Sequence, residues 1–176
     1  MRDITANVVQ VRSASGADAE AIIRTHFAAV HETASKFYPS EVLNSWSHEP
    51  DEARYEQIRR AIAKGDELYV VAEDSSGVAG FGSIVPSLQE LRAVYVHPRV
   101  ARRGVGASIL QELERLAVAN HCVHLQMDAS VNAEAFYSGH GYEVISRDVH
   151  RLASGHEMAC TKMKKLLPHR KRLNGN

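Results

Sequence analysis

Cysteine is scarce in this chain: Cys122 and Cys160 are the two in 176 residues, and they form no Cys-x-x-Cys pair. That excludes a disulfide-stapled scaffold and a cysteine-based zinc or redox motif, and it fits structural thiols in a reducing compartment. Charge of one sign is absent too. Lys and Arg number 21, Asp and Glu number 21, and the formal net charge is zero. A domain so balanced has no overall electrostatic pull toward nucleic acid or an anionic membrane. No apolar run reaches the ~20 residues that span a bilayer. Arg2 and Asp3 are not followed by the apolar stretch of a secretory signal. A cytoplasmic protein without membrane contact is the expectation. Several motifs are missing as well: there is no Gly-x-Ser-x-Gly elbow, no Gly-x-Gly-x-x-Gly fingerprint and no Gly-Lys-Ser/Thr loop. His121 and His124 stand three apart with no further partners, so no metal site is expected.

What remains is an ordinary globular composition, 44% hydrophobic and 24% charged, with no internal repeat or low-complexity linker. One domain over residues 8–167 is expected, followed by a basic, flexible tail over 168–176. The cluster Lys162, Lys164, Lys165, Arg170, Lys171 and Arg172 reads as a solvated tail or as a docking patch for phosphate or an acidic partner.

Val8 to Val11 predicts a first strand. A helical stripe follows through Ala21, Ile22, Phe27 and Val30, then a short helix from Pro39 with Val42, Leu43 and Trp46, and a third helix through Tyr55, Ile58 and Ile62 that stops at Gly65. From Leu68 the pattern changes. Strands are expected at 68–72, 78–85 and 88–97, with the turn Asp74-Ser75-Ser76-Gly77 joining the first two. Gly104 to Ala119 carries the stripe Val105, Ile109, Leu113, Leu116 and Ala117 of a helix. A strand at 123–127, a short helix at 132–138 and two closing strands at 142–147 and 156–164 complete the chain. This mixed order predicts an α/β fold with a mixed sheet and helices packed on its faces.

The most informative stretch is Val94-Tyr95-Val96-His97-Pro98 followed by Arg102-Arg103-Gly104-Val105-Gly106-Ala107. A strand ends, a basic glycine loop follows and an amphipathic helix begins. Glycines let the backbone approach a ligand closely. The first helical turn has unpaired N–H groups and the positive end of the dipole, so the arrangement suits a pyrophosphate, with Arg102 and Arg103 beside it. A glycine-eased turn with surface arginines is the plainer reading of the same residues. Along the preceding strand, alternation would put Glu90, Arg92, Val94 and Val96 on one face.

This segment resembles motif A of the GNAT superfamily of acetyltransferases, whose Gln/Arg-x-x-Gly-x-Gly/Ala pattern falls here on Ala101, Gly104 and Gly106. Ala101 stands where the family has Gln or Arg. Downstream, Asn132-Ala133-Glu134-Ala135-Phe136-Tyr137 and Gly141-Tyr142 resemble the family's motif B. Tyr38 to Trp46 is similar to the branch that includes YafP-type bacterial acetyltransferases. Together the likeness spans roughly Val9 to Leu166. It implies a central, mostly antiparallel sheet of six to seven strands, splayed where acetyl-CoA enters, and no metal.

The resemblance also implies roles. Arg102, Arg103, Gly104, Val105, Gly106 and Ala107 would hold the coenzyme's pyrophosphate. Val94, Tyr95 and Val96 would meet the acetyl group and pantetheine arm, with Asn132 hydrogen-bonding that arm. Tyr137 falls on the position of the general acid, and a phenol of reference pKa ~10 can protonate a departing thiolate. Glu90 falls on a carboxylate that serves several members as the base. Phe27, His31, Tyr38 and Trp46, with Glu32 and Glu41 nearby, would form the acceptor pocket for an amine on a small molecule or protein. Family members are commonly dimers, so a homodimer is implied. Two other readings stay open: a coenzyme-binding regulatory module with little turnover, and a toxin-like acetyltransferase whose basic tail engages an RNA-borne amine.

Overall fold

A computed structural model describes residues 9–168; all but Pro168 of the expected tail therefore lies outside the described residues. Seven strands form one sheet in the order β1-β2-β3-β4-β5-β7-β6. They are β1 (Gln10–Ser13), β2 (Leu68–Asp74), β3 (Gly77–Val85), β4 (Glu90–Val96), β5 (His124–Ser130), β6 (Glu143–Arg151) and β7 (Glu157–Leu166). Every neighbouring pair is antiparallel except β4 and β5. The helices are α1 (Ala19–Ala28), α2 (Ser40–Trp46), α3 (Glu52–Lys64), α4 (Val105–Ala119) and α5 (Glu134–Gly139). None of the described helices is long and apolar enough to cross a membrane.

The helices form where the apolar stripes predicted them. Asp51 accepts the Arg54 N–H at 2.9 Å to start α3, and Gly65, at φ 77°, ends it in the left-handed conformation that glycine adopts freely. The first strand lies two residues later than predicted, because Gln10 to Ser13 pair with Glu73 to Val70. Of the basic cluster, Lys162 and Lys164 lie in the closing strand where 156–164 was expected, and Lys165 extends it, all three in β7. Lys165 reaches Glu114 at 2.8 Å and Lys162 lies 3.7 Å from Asp128, so ion pairing across elements holds them in the fold.

Two layers of helix flank the β1–β4 half. On one side α4 buries Ile109, Leu110 and Leu113 against Val70, Ala72, Ile84 and Leu91. On the other, Ile22 of α1 and Ile58 and Ile62 of α3 cover Val71 and Phe81. α4 comes unusually close to β3. A Cβ added at Gly82 would lie 2.7 Å from Ile109, Leu113 and the Ala93 carbonyl, so only a residue without one fits.

The predicted face alternation along β4 is corrected by a bulge. Ser83 pairs with Ala93 but Ile84 pairs with Leu91, which leaves Arg92 as the extra residue. Leu91, Val94 and Val96 therefore share the α4 side, while Ala93 and Tyr95 face the α1 side. The parity change puts Glu90 on the side of Tyr95, opposite Val94 and Val96.

Gly82→Ala is expected to destabilise the fold by ~2 kcal/mol through overpacking. For a domain of this size that lowers the melting temperature by about 4–8 °C. An unchanged melting temperature would show that α4 can move away from β3 at no cost.

Candidate active site

Beyond the single pair Glu90↔Gln126, β4 and β5 part. The His97 N–H donates to the Ala79 carbonyl at 2.8 Å, which makes Val96 and Gly80 a non-bonded pair of the antiparallel ladder. By alternation the peptide groups of Val94 and Val96 turn away from β3, toward the gap. A cleft of about 880 Å³ opens there, lined among others by Trp46, Glu90, Val94, Tyr95, Asp128 and Tyr137.

At the mouth of the gap α4 begins. Gly104 is its N-cap at φ 79° and Arg102 is also left-handed at φ 62°. No side chain caps this helix, and its first turn carries no acidic residue. The N–H groups of Val105, Gly106 and Ala107 thus lack the carbonyl acceptors that later turns enjoy, and the first intrahelical bond runs from Ser108 N–H to the Gly104 carbonyl at 3.0 Å. A Cβ on Gly104 would meet nothing within 4 Å, so open space fronts the loop. Gly106 differs. A Cβ there would sit 3.3 Å from Phe136 and 3.4 Å from Val96, so its bareness brings the helix start against α5 and β4. Arg102 and Arg103 are exposed beside the loop. Arg99, not singled out by the sequence, pins the loop to the β2–β3 hairpin through Asp74 at 2.7 Å and the Gly77 and Val78 carbonyls.

Tyr137 projects from α5 into the cleft and is 6% exposed. Burial, with a smaller contribution from nearby Tyr95, pushes its phenol well above the usual tyrosine range, so it keeps its proton at neutral pH. Tyr95 is raised by burial to about 12. Its ring stacks on Phe81 at 5.4 Å and meets His26 edge-on at 4.6 Å. Asn132 lies just before α5, and its Oδ1 is buried without a hydrogen-bond partner among the described residues. Such an atom costs ~1–3 kcal/mol unless a bound donor satisfies it. A ligand with an amide N–H would do so. Glu90 receives a hydrogen bond from Arg92 Nε at 3.2 Å.

The cleft therefore unites Glu90, Val94, Tyr95 and Tyr137 with Trp46 from the expected acceptor set. Phe27, His31 and Tyr38 are not among its lining residues. His31 Nε2 lies 2.6 Å from the Ser47 carbonyl, and Phe27 packs on His31 at 4.1 Å. The Tyr38 hydroxyl donates to the Ala159 carbonyl at 2.7 Å and accepts the Val131 N–H at 2.8 Å. It fastens the segment before α2 to β7 and to the turn leading into α5. The sequence reading missed one pair on the cleft wall: His150 Nδ1 lies 3.2 Å from Asp128 Oδ2. The two are 22 residues apart on different strands, and only their pairing to a common third strand brings them together. No group of three or more His, Cys, Asp or Glu among the described residues could hold a metal.

A mixed sheet opened between its two parallel strands, with a glycine-capped helix at the opening, defines an acyl-coenzyme-binding class of fold. The family model "Acetyltransferase (GNAT) domain" matches residues 29–167. The chain belongs to this family; it is an N-acetyltransferase with acetyl-CoA as co-substrate. No curated protein matches the sequence. Among solved structures, the GCN5-related N-acetyltransferase from Rhodopseudomonas palustris is 27% identical, covering 90% of this chain and 95% of its own with a TM-score of 0.78. PaiA N-acetyltransferase from Thermoplasma acidophilum, solved with coenzyme A, is 20% identical over 90% of this chain and 99% of its own, TM-score 0.72. The yncA protein of Salmonella typhimurium, solved with its cofactor acetyl-CoA, is 20% identical over 97% and 100%, TM-score 0.69.

Tyr38→Phe is expected to leave the Val131 N–H and Ala159 carbonyl unpaired and to cost ~1–3 kcal/mol of stability. Thermal unfolding reads this. An unchanged melting temperature together with a raised KM for the acceptor would return Tyr38 to the acceptor site.

Proposed function

We propose that this enzyme moves the acetyl group of acetyl-CoA to a primary amine of a small molecule or protein, by direct transfer with both bound at once. The parting of β4 from β5 carries the reading, because it leaves two backbone peptide groups of β4 facing a cleft that also contains a buried phenol. The unpartnered Oδ1 of Asn132 and the uncapped start of α4 add independent support, since each is completed by a feature of the coenzyme.

In this reading the N–H groups of Val105, Gly106 and Ala107 hold the diphosphate in front of Gly104, and Arg102 and Arg103 add positive charge at its edge. Asn132 Oδ1 accepts from the pantetheine arm. Bound acetyl-CoA supplies an acyl group activated as a thioester. The peptide N–H groups of Val94 and Val96 polarise the acyl carbonyl where negative charge develops. Trp46 and Tyr95 wall the acceptor's approach, with Phe27, His31 and Tyr38 behind them. Tyr137 keeps its phenolic proton until the sulfur departs and then gives it up. The bulge at Arg92 sets the Glu90 carboxylate on the same side as Tyr95, and the family likeness makes it one candidate for the proton acceptor.

Steady-state release of coenzyme A thiol with a panel of primary amines tests the whole reading; acetyl-CoA binding with no turnover on any of them would contradict it. Tyr137→Phe is expected to lower kcat ~100-fold with acetyl-CoA affinity unchanged, and equal turnover would remove Tyr137 from the mechanism. Gly104→Trp fills the open space before the loop, and calorimetry is expected to show no coenzyme binding. An unchanged dissociation constant would place the diphosphate elsewhere.

A further inference from the structure

We propose that His150, oriented by Asp128, is the base that takes the proton from the acceptor amine; this rests on the acetyl-transfer reading of the cleft. The register of three strands carries it. His150 of β6 stands opposite Met158 of β7, and Asp128 of β5 stands opposite Lys162 of β7. Met158, Cys160 and Lys162 alternate along one strand, so all three project from one face, and their cross-strand partners project with them. To reach Asp128 at 3.2 Å, the imidazole crosses β7 diagonally over Cys160. Cys160 is paired with Ser130, at the end of β5 where the gap is open. The ring is thereby carried to the level of the reacting centre, and it lines the same cleft as Val94 and Tyr137.

An ionised carboxylate only accepts hydrogen bonds, so Nδ1 carries the hydrogen and the lone pair is left on Nε2. Nε2 makes no hydrogen bond among the described residues, while the side chain is 49% exposed and can pass a proton to solvent. Glu90 is placed less well. It stands opposite Val85 while Val94 stands opposite Gly82, three strand steps or ~10 Å away, and its carboxylate is engaged by Arg92. The titratable and charged groups that line the cleft with the imidazole are Asp128 on β5, Cys160, Lys162 and Lys164 on β7, Glu90, Arg92 and Tyr95 on β4, and Tyr137 on α5, while Asp148 stands two residues before it on its own strand. Lys162 lies 3.7 Å from both Asp128 and Asp148, so those two carboxylates offset its charge.

The step balances. The ammonium R–NH₃⁺ gives one proton to His150 Nε2 and becomes a nucleophile. A nitrogen–carbon bond forms at the acyl carbonyl and the carbon–sulfur bond breaks. The sulfur takes the phenolic proton of Tyr137. The second proton of the amine restores that phenol, and the imidazolium releases the first to water.

The test is the pH dependence of kcat/KM for wild type, His150→Gln, Asp128→Asn and Glu90→Gln, with acetyl-CoA calorimetry and thermal unfolding on each. His150→Gln is expected to lower kcat/KM ~100-fold near neutral pH and to abolish the fall in rate on the acidic side. Its melting temperature and coenzyme binding should match wild type, and added imidazole should restore part of the rate. Asp128→Asn, which leaves the ring in place but unoriented, is expected to lose ~10-fold. His150→Gln within about threefold of wild type, well short of a general base's usual share, would overturn the inference. So would loss of the acidic limb in Glu90→Gln with its retention in His150→Gln. Absence of coenzyme binding by wild type would instead defeat the acetyl-transfer reading, and this one with it.

Discussion

Everything in this structure depends on one constraint: β4 and β5 are joined at one end and kept apart at the other. The join is small and specific. Gln89, held at a left-handed φ of 51°, accepts the Gln126 N–H on its carbonyl at 3.0 Å, and its side-chain Oε1 accepts from Val123 at 2.8 Å and His124 at 3.3 Å. A glutamine in that conformation costs on the order of 1 kcal/mol, which those bonds, each worth about 1 kcal/mol net, offset. At the open end other contacts set the spacing. The Phe136 ring and Val96 close on Gly106, and the Tyr38 hydroxyl holds Val131 and Ala159 together on the far side. The gap is therefore built from both sides and does not arise from mere lack of pairing.

The gap also divides labour between the two faces of the sheet. The α4 face carries the glycine loop, Asn132 and the α5 phenol, all suited to an elongated anionic ligand. The opposite face is covered by α1 and α3 only over β2 to β4. Over β7 it is covered by α2 and the segment before it, where Tyr38, Val42 and Leu43 pack on Met158, and beside that cover Glu90, Asp128, His150 and Lys162 line the cleft with Trp46. A bulge at Arg92 moves Glu90 to this second face. One inserted residue thus moves the carboxylate from the face of Val94 and Val96 to that of Ala93 and Tyr95, a change no periodic pattern could announce.

Much of the fold was legible because local signals and tertiary packing agree. The stripe Val105, Ile109, Leu113 and Ala117 is buried as expected, Gly65 ends α3, and the hairpin at Asp74 to Gly77 forms. The glycine turn that opens α4 and the place of Tyr137 on a short helix were readable through short motifs whose backbone demands are local. Residues whose roles depend on three-dimensional register were not. Tyr38 looked like a pocket aromatic, yet its hydroxyl is spent on backbone groups 93 and 121 residues away. His150 and Asp128 meet only because both pair with β7. Lys162 and Lys164 fell inside the closing strand expected at 156–164, and the strand runs two residues further, through Lys165 to Leu166, where the Lys165 ion pair with Glu114 holds it.

The central claim, that the parted strand offers its peptide groups to the coenzyme, is tested most directly by amide hydrogen exchange along β4. The account predicts rapid exchange at Val94 and Val96 in the free protein, slow exchange at Tyr95 and His97, and strong slowing at Val94 and Val96 once acetyl-CoA saturates the enzyme. Val94 and Val96 amides already protected in the free protein, or unchanged by saturating acetyl-CoA, would contradict it.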